Sequence, residues 1–319
     1  MITKMTLGID LGTANILIHT NEKGMIINEP AIVAYHTDTQ EVVAVGSPAK
    51  EMIGKTPKNI VTIQPIQSGV IADFDMASQL LKHLLKIASK MLGMSIRKPT
   101  VIASVPSHST AVEQRAIHNA IASFGVRKIH LIKEPVASAI GAELPVNEPV
   151  SSAIVDIGGG TSEISIISYG GIVSSHAIRV AGNKLDEDIK QYIREKYHMV
   201  IGDRTAEQIK CTIGYAPIDH EHEKMIIRGR ERVTGLPKNL TITSTEIQQA
   251  ITHSLEQILE AIRATLEQCP PELSGDLVNY GLTLTGGGAL MKGMQEWLQH
   301  ALDIPIHMAP SPLESVALG

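Results

Sequence analysis

Two short turns in this 319-residue chain place an aspartate just ahead of glycine and threonine. The residues of these turns are Asp10, Gly12 and Thr13 in the first and Asp156, Gly158, Gly159, Gly160 and Thr161 in the second. Glycine lets backbone N–H groups approach a phosphate closely, and a neighbouring hydroxyl can donate to a phosphate oxygen. A carboxylate beside them can act on hydrated Mg²⁺, which takes few protein ligands. The pair predicts a nucleoside triphosphate and a divalent cation, bound in a cleft between two related halves.

A third glycine loop lies between a predicted strand and a predicted helix near the end of the chain. Its candidate nucleotide-binding residues are Gly286, Gly287, Gly288 and Ala289. Such a turn suits close packing of a ribose or a planar base against the backbone. One acid–glycine turn alone is commonplace, whereas two of them together with a third glycine loop form a specific signal. Neither the P-loop nor the Rossmann fingerprint occurs, so those nucleotide folds are not expected.

The elements that must position these turns alternate between strand and helix patterns, which is typical of layered α/β proteins. Residues 5–9 and 16–19 predict strands on either side of the first turn, and residues 153–156 and 163–168 repeat this arrangement around the second. The repetition indicates an internal duplication. Two prolines interrupt the pattern within residues 144–149, where we place the domain boundary.

Other segments predict the helices and loops around this framework. An apolar stripe predicts a helix over residues 77–92, and residues 289–301 predict a helix directly after the third glycine loop. The polar stretch 217–240 predicts a loose, irregular segment. Within it, the basic run Arg228–Arg232 is interpreted as a solvated surface in preference to a phosphate or lipid site.

Composition limits the classes of function. The net charge of −5 and the aromatic content of 3% give no reason to expect a nucleic-acid partner. The two cysteines, Cys211 and Cys269, cannot form a disulfide framework or a cysteine-rich zinc site, and both are interpreted as reduced. No run of about 18 apolar residues is present, so no membrane span is predicted. We therefore expect a cytosolic protein.

The three glycine motifs resemble the two phosphate motifs and the adenosine motif of the actin/Hsp70/sugar-kinase superfamily. Five further segments resemble the MreB family of bacterial actins in particular. They are Val105-Pro-Ser107, Glu134-Pro-Val-Ala-Ser-Ala-Ile-Gly-Ala142, Leu185-Asp-Glu187, Arg204-Thr-Ala-Glu-Gln-Ile-Lys210, and Gly229-Arg230 followed by Gly235-Leu-Pro237. The resemblance covers nearly the whole chain. The run Thr13-Ala-Asn-Ile-Leu17 and the ending over residues 312–319 suggest an MreBH-like or Mbl-like paralogue.

This resemblance implies an actin-like α/β fold in which two duplicated domains enclose a nucleotide cleft and are divided into four subdomains. The implied bounds are residues 1–32, 66–147 and 312–319 for subdomain IA, 33–65 for IB, 148–181 and 247–311 for IIA, and 182–246 for IIB.

The resemblance also implies ATP or ADP with Mg²⁺ as the bound cofactors. The phosphates would lie between Gly12-Thr13, continued by Ala14 and Asn15, and the turn Gly158–Thr161, with Asp10 and Asp156 acting on Mg²⁺ through water. Glu207 and Lys210, one helical turn apart, match family positions near the ribose and base. Without the family context, a surface ion pair between these two is the preferred interpretation.

Glu134 is the candidate for hydrolysis, together with Thr161. It follows a predicted strand, and Pro135 favours extended backbone at that strand's end, where open α/β sheets place functional groups. A carboxylate there can orient a water for attack on the γ-phosphate. The alternative is a helix N-terminal glutamate stabilised by the helix dipole. Lys133 and Asn183 depart from the family pattern and are expected to affect the hydrolysis rate.

As a member of this family, the chain is expected to be an ATPase that polymerises into paired protofilaments, with itself and with related bacterial actin paralogues. The resemblance places such filaments on the inner face of the plasma membrane, where they act with cell-wall elongation proteins to set rod shape. The candidate membrane residues are Met91, Leu92 and Met94, at a helix end flanked by cations. Met91 and Leu92 also fit the end of the apolar core stripe.

Two other functions share this fold class. A small-molecule kinase acting on a sugar or an acid would need a substrate pocket and a catalytic aspartate base, and no convincing candidate for either is apparent. A chaperone ATPase would need a peptide-binding domain, for which the chain is too short.

Overall fold

A computed structural model describes residues 6–92 and 99–319 of the chain. The chain divides into two compact units. Unit 1 comprises Met1–Leu144 and Glu314–Gly319, and unit 2 comprises Pro145–Leu313.

The strands of unit 1 form one large sheet and two small ones. They are β1 (Thr6–Leu11), β2 (Asn15–Thr20), β3 (Gly24–Pro30), β4 (Val33–His36), β5 (Val42–Val45), β6 (Ile60–Ile63), β7 (Ile66–Gln67), β8 (Val70–Ile71), β9 (Thr100–Val105) and β10 (Lys128–Lys133). The large sheet has the order β10-β9-β1-β2-β3, and β4 pairs with both β5 and β6 in a small sheet. Strand β1 runs parallel to β9 and antiparallel to β2.

Within residues 6–92 and 99–144, the structure describes four helices of unit 1. They are α1 (Ser47–Met52), α2 (Phe74–Met91), α3 (Ala111–Ala122) and α4 (Glu134–Gly141). The apolar stripe of α2 is buried in the core of unit 1, as its spacing predicts. Thr110 and Glu113 form a reciprocal capping box that starts α3.

The strands of unit 2 repeat the plan of the large sheet. They are β11 (Ser152–Ile157), β12 (Ser162–Ser168), β13 (Gly171–Ile178), β14 (Met199–Val200), β15 (Lys224–Glu231), β16 (Pro237–Thr243), β17 (Leu282–Thr285) and β18 (Ile306–Met308). The larger sheet has the order β13-β12-β11-β17-β18, and the smaller has the order β14-β15-β16. Strand β11 runs parallel to β17 and antiparallel to β12, which is the relation of β1 to β9 and β2.

Helices cover the sheets of unit 2. They are α5 (Gly182–Lys196), α6 (Asp203–Ile213), α7 (Ser244–Glu267), α8 (Pro271–Tyr280) and α9 (Met294–Leu302). A capping box of Thr243 and Glu246 starts α7. The last helix, α10 (Ser315–Leu318), belongs to unit 1 and packs against α4 and β1.

The duplication seen in the sequence is confirmed by strand pairing. In each unit, a buried strand that carries the motif aspartate leads through a glycine turn into its antiparallel neighbour. Asp10 lies opposite Leu17 on β2, and Asp156 lies opposite Glu163 on β12. Each aspartate is therefore fixed near the end of a strand inside a five-stranded sheet.

Two predicted elements differ in the structure. The stretch 217–240 is not irregular throughout, because β15 and most of β16 form a hairpin within it. Along β15, exposed residues alternate with buried or partly buried ones, and the high polar content of the segment hid this alternation. The helix predicted from Ala289 begins only at Met294, after a 3₁₀ turn over Gly287–Leu290. Gly293 has a left-handed φ of 75°, which interrupts a continuous helix at that point.

Candidate functional site

The first acid–glycine turn joins β1 to β2 in unit 1. A Cβ added at Gly12 would lie 2.6 Å from the carbonyl oxygen of Asn15, so the tight turn requires glycine there. Thr13 is buried, and its hydroxyl oxygen accepts a hydrogen bond from the backbone N–H of Gly69 at 3.1 Å. Since the oxygen serves as the acceptor in this bond, the hydroxyl proton can still be donated to a ligand oxygen.

Asp10 is buried within the sheet just ahead of this turn. The Ser104 hydroxyl on β9 donates a hydrogen bond to Asp10 Oδ1 at 3.1 Å. A carboxylate held by a neighbouring hydroxyl has a fixed orientation, as an outer ligand of a hydrated cation requires. Ser104 and Gly69 support the turn from distant segments, and the motif spacing gave no indication of either.

Ala14 and Asn15 complete the sequence motif but are engaged with the rest of the sheet. The carbonyl of Ala14 accepts a hydrogen bond from Ala31 at 2.9 Å. The side-chain amide of Asn15 donates to the Asn28 side chain at 2.6 Å. A contact of these two residues with a nucleotide would therefore use groups other than the Ala14 carbonyl and the Asn15 side-chain amide.

Glu134 lies immediately after β10, half-buried, as the first residue of α4. Pro135 is the second helical residue, so Glu134 lies in the first turn of a helix and not in the extended backbone that we predicted. Proline is well tolerated in the first turn because its missing N–H has no partner there in any case. The ammonium group of the preceding Lys133 donates to the carbonyl of Ser107 at 3.0 Å, which fixes its charge beside this helix start.

The second acid–glycine turn joins β11 to β12 in unit 2. Asp156 is buried, and the turn is closed by a 2.9 Å hydrogen bond from the N–H of Gly158 to the carbonyl of Thr161. Gly158, Gly159, Gly160 and Thr161 are each partly exposed. The turn is thus rigid at its base and accessible at its tip, which suits backbone contact with an anion.

The third glycine loop packs directly on this second turn. Gly286 has a φ of 84°, and a Cβ there would lie 2.5 Å from Asp156 Oδ1 and overlap the carbonyl of Ile157. A Cβ at Gly288 would overlap the Ile157 side chain, and Ala289 is fully buried. The structure therefore brings together the aspartate, the second turn and the third loop within unit 2. Part of the glycine requirement in the third loop comes from this packing.

Lys210 lies beside the same turn. Its ammonium group donates to the carbonyl of Gly182 at 2.8 Å and pairs with Asp186 Oδ2 at 2.9 Å. The N–H of Gly182 in turn donates to the carbonyl of Gly158 at 3.1 Å, so the start of α5 links Lys210 to the second turn. The alternative interpretation paired Lys210 with Glu207 at the surface, whereas the structure pairs Lys210 with the largely buried Asp186, which the sequence did not identify as its partner.

Burial raises the pKa of Asp186 to about 6, against the opposing effect of the Lys210 ammonium group, while the nearby Glu207 carboxylate adds to the increase. A carboxyl whose pKa is higher in the folded state binds its proton there first, so its contribution to stability grows as the pH falls through that pKa. We expect the difference in unfolding free energy between the unaltered chain and Asp186→Asn to rise by about 1 kcal/mol between about pH 7 and pH 5. Urea denaturation at both pH values measures this, and a constant difference would contradict the raised pKa.

The described residues contain no group of three or more histidine, cysteine or acidic side chains that could enclose a metal ion. Mg²⁺ in proteins keeps several waters and uses one or two carboxylates. Asp10 and Asp156 are buried carboxylates next to glycine turns, so the donor set matches that chemistry.

The predicted membrane residues differ in exposure. Met91 is 54% exposed at the end of α2, whereas Leu92 is 6% exposed and packs inward as the end of the core stripe. The side chain of Leu92 is therefore largely covered in this conformation, and its contact with a bilayer stays a prediction. Met94 lies outside the described residues. No helix in the ranges 6–92 and 99–319 is both long and apolar enough to cross a membrane.

Comparison with known proteins supplies the family. The family model described as MreB/Mbl protein matches residues 4–319. The chain is 43% identical over 314 residues to the cell shape-determining protein Mbl of Bacillus subtilis strain 168, covering 98% of this chain and 93% of the relative. It is 44% identical over 317 residues to the cell shape-determining protein MreB of Escherichia coli K12, covering 98% and 91%.

Solved structures agree with this relationship. MreB5 of Spiroplasma citri bound to ADP superposes with a TM-score of 0.94 at 37% identity, covering 99% of this chain and 94% of that one. The same protein bound to AMPPNP gives 0.94 at 38% identity, with the same coverage. MamK in a double helical filament gives 0.81 at 20% identity over 99% and 97% of the two chains, which supports the actin-like fold alone. The chain belongs to the MreB/Mbl family of actin-like proteins.

Proposed function

We propose that this chain is an ATPase that polymerises into filaments and uses slow, polymerisation-coupled hydrolysis to control their lifetime. The observation that carries the proposal is the duplicated turn, in which a buried aspartate precedes a glycine turn in each unit on equivalent strands. Support comes from the MreB5 structures bound to ADP and AMPPNP. Self-assembly is supported by family membership and by the actin-like fold shared with filamentous MamK.

In this proposal both turns bind the phosphates of a single ATP. Gly12, Thr13 and the turn Gly158–Thr161 donate N–H and hydroxyl groups to phosphate oxygens. Asp10 and Asp156 hold the water shell of Mg²⁺, which when bound neutralises charge on the phosphates.

The remaining candidate residues bind or act on other parts of the nucleotide. The third loop, Gly286–Ala289, supports the adenosine through its backbone, and Glu207 and Lys210 bind near the ribose. Glu134 orients the attacking water, and the Thr161 hydroxyl assists at the γ-phosphate.

The proposal extends to location and partners. We infer that the filaments are paired, lie on the inner face of the plasma membrane and organise cell-wall synthesis with elongation proteins and related bacterial actins. Exposed Met91, with Met94 from the same sequence motif, is the proposed apolar contact with lipid in unit 1. The four-subdomain division is part of the proposal, and the small sheets β5-β4-β6 and β14-β15-β16 lie within the two segments assigned to subdomains IB and IIB.

Sedimentation with and without nucleotide tests the polymer directly. We expect the purified chain to pellet at high speed with Mg-ATP or Mg-AMPPNP and to remain in the supernatant with EDTA. Phosphate transfer to a panel of sugars and small acids serves as the control for kinase activity. A chain that never pellets but phosphorylates a sugar would replace the filament proposal with the kinase alternative.

A further inference from the structure

The sheet β14-β15-β16 has one buried face and one exposed face. Ile227 and Ile242 point into the core of unit 2, so the alternating residues of β15 point outward. The outward residues of the two long strands are Lys224, Ile226, Arg228, Arg230, Pro237, Asn239, Thr241 and Thr243. None of them is acidic, in a chain whose net charge is −5.

The arginines on this face are not neutralised by neighbours. In the part of the chain that the structure describes, no ion pair joins Arg228, Arg230 or the following Arg232 to a carboxylate. The one acid of the hairpin strands, Glu231, points to the opposite face and pairs with Lys238 at 2.7 Å. Arg228 and Arg230 are exposed, so their charges contribute to the electrostatic potential at this face.

Apolar side chains are exposed next to these charges. Ile226 is 71% exposed between Lys224 and Arg228 on the outward face. At the hairpin turn, Val233 and Leu236 are 85% and 64% exposed. Exposed aliphatic groups beside cations are complementary to a surface that offers both apolar and anionic groups.

We propose that this outward face, with the tip formed by Val233 and Leu236, docks on an anionic lipid bilayer. A bilayer presents a flat layer of phosphate headgroups to the arginine row and an apolar layer to the tip, and each basic residue near such a surface adds to binding. A soluble phosphate ion has no apolar part that could contact the exposed Ile226, Val233 and Leu236. The inference rests on the proposed membrane association and adds a lipid contact in unit 2 to the one proposed at Met91.

Vesicle co-sedimentation of the double variant Arg228→Gln/Arg230→Gln tests the proposal. The substitutions remove two positive charges and keep part of each aliphatic side chain. Lys55→Gln/Lys58→Gln is the matched control, because it removes the same charge from two exposed lysines of unit 1. With phosphatidylglycerol vesicles in about 0.1 M salt, we expect the arginine variant to bind about tenfold more weakly and the lysine variant to bind as the unaltered chain does. Val233→Ser/Leu236→Ser is expected to weaken binding independently of salt.

Pelleting with Mg-ATP in the absence of lipid separates a lipid contact from a contact between subunits. We expect the arginine variant to pellet normally, and a loss of pelleting would assign the face to self-assembly and overturn the proposal. Equal binding of the arginine and lysine variants to phosphatidylglycerol would overturn it as well. If the unaltered chain does not bind phosphatidylglycerol vesicles, the proposed membrane association is wrong. If the unaltered chain binds them and the arginine variant binds equally well, only the contact at this face is wrong.

Discussion

Replacing Glu134 by alanine is expected to slow hydrolysis of bound ATP by about a hundredfold or more, with little change in nucleotide affinity. The carboxylate lies half-buried in the first turn of α4, directly after β10. A side chain that orients or deprotonates an attacking water contributes about 10²–10⁴ to the rate and little to binding of the ground state. Single-turnover hydrolysis, together with titration of a fluorescent ATP analogue, measures the two quantities separately.

The alternative role of Glu134, in stabilising a helix start, has a matched control. Asp75→Ala removes an acidic residue from the first turn of α2, where a helix dipole contribution of about 0.3–1 kcal/mol is expected. If Glu134 acts only on its helix, both variants lose a similar amount of stability and hydrolyse ATP at the normal rate. Unchanged single-turnover hydrolysis in Glu134→Ala would remove the residue from the proposed mechanism.

Replacing Gly286 by alanine is expected to weaken nucleotide binding at least about tenfold and to lower the unfolding free energy by about 2 kcal/mol. Two causes act together. The φ of 84° is unfavourable for any residue with a Cβ, and the new methyl group would lie 2.5 Å from Asp156 Oδ1. Relief of the overlap must displace the strand end that carries Asp156, and with it the second glycine turn. Calorimetry with Mg-AMPPNP and chemical denaturation measure both effects.

Gly275→Ala is the control for this substitution. Gly275 lies inside α8 in the same unit, and an added Cβ would meet nothing within 4 Å. Alanine in place of a helix-interior glycine stabilises a protein by about 0.5–1 kcal/mol. The control should therefore bind nucleotide normally and unfold at a slightly higher denaturant concentration. Normal nucleotide affinity in Gly286→Ala would show that the third loop and the second turn are not coupled as their packing indicates.

Much of the framework could be predicted from short-range patterns. A threonine three positions before a glutamate is a sequence signature of a helix start, and the pairs Thr110–Glu113 and Thr243–Glu246 begin α3 and α7. The apolar stripe predicted α2. These signals are local, because caps and stripes depend on residues within a few positions of one another. The acid–glycine turns were predictable for the same reason.

The supporting contacts could not be predicted, because they join residues far apart in the chain. Ser104 donates to Asp10 across 94 positions, and Gly69 donates to Thr13 across 56. Lys210 pairs with Asp186 on another helix, a partner that the helical spacing of Glu207 and Lys210 did not indicate. The difference arises because α5 and α6 pack together, and sequence spacing contains no information on that packing.

The hairpin β15–β16 shows a different limit. Most of its residues are polar, and exposed Ile226 interrupts the alternation of polar and apolar residues that is typical of a strand. In these two strands only Ile227 and Ile242 are fully buried. A half-exposed two-stranded segment therefore looks like a loop in composition. The same exposed residues form the face that we assign to lipid.

Both acid–glycine turns are proposed to serve one nucleotide, and calorimetric titration with Mg-AMPPNP tests this most directly. The unaltered chain should bind one nucleotide per chain. Asp10→Asn and Asp156→Asn should each weaken binding about tenfold or more, since each removes a charge that we propose to act on the hydrated cation. Normal binding by either variant, or two independent sites per chain, would contradict the proposal that the two turns act on a single Mg-ATP.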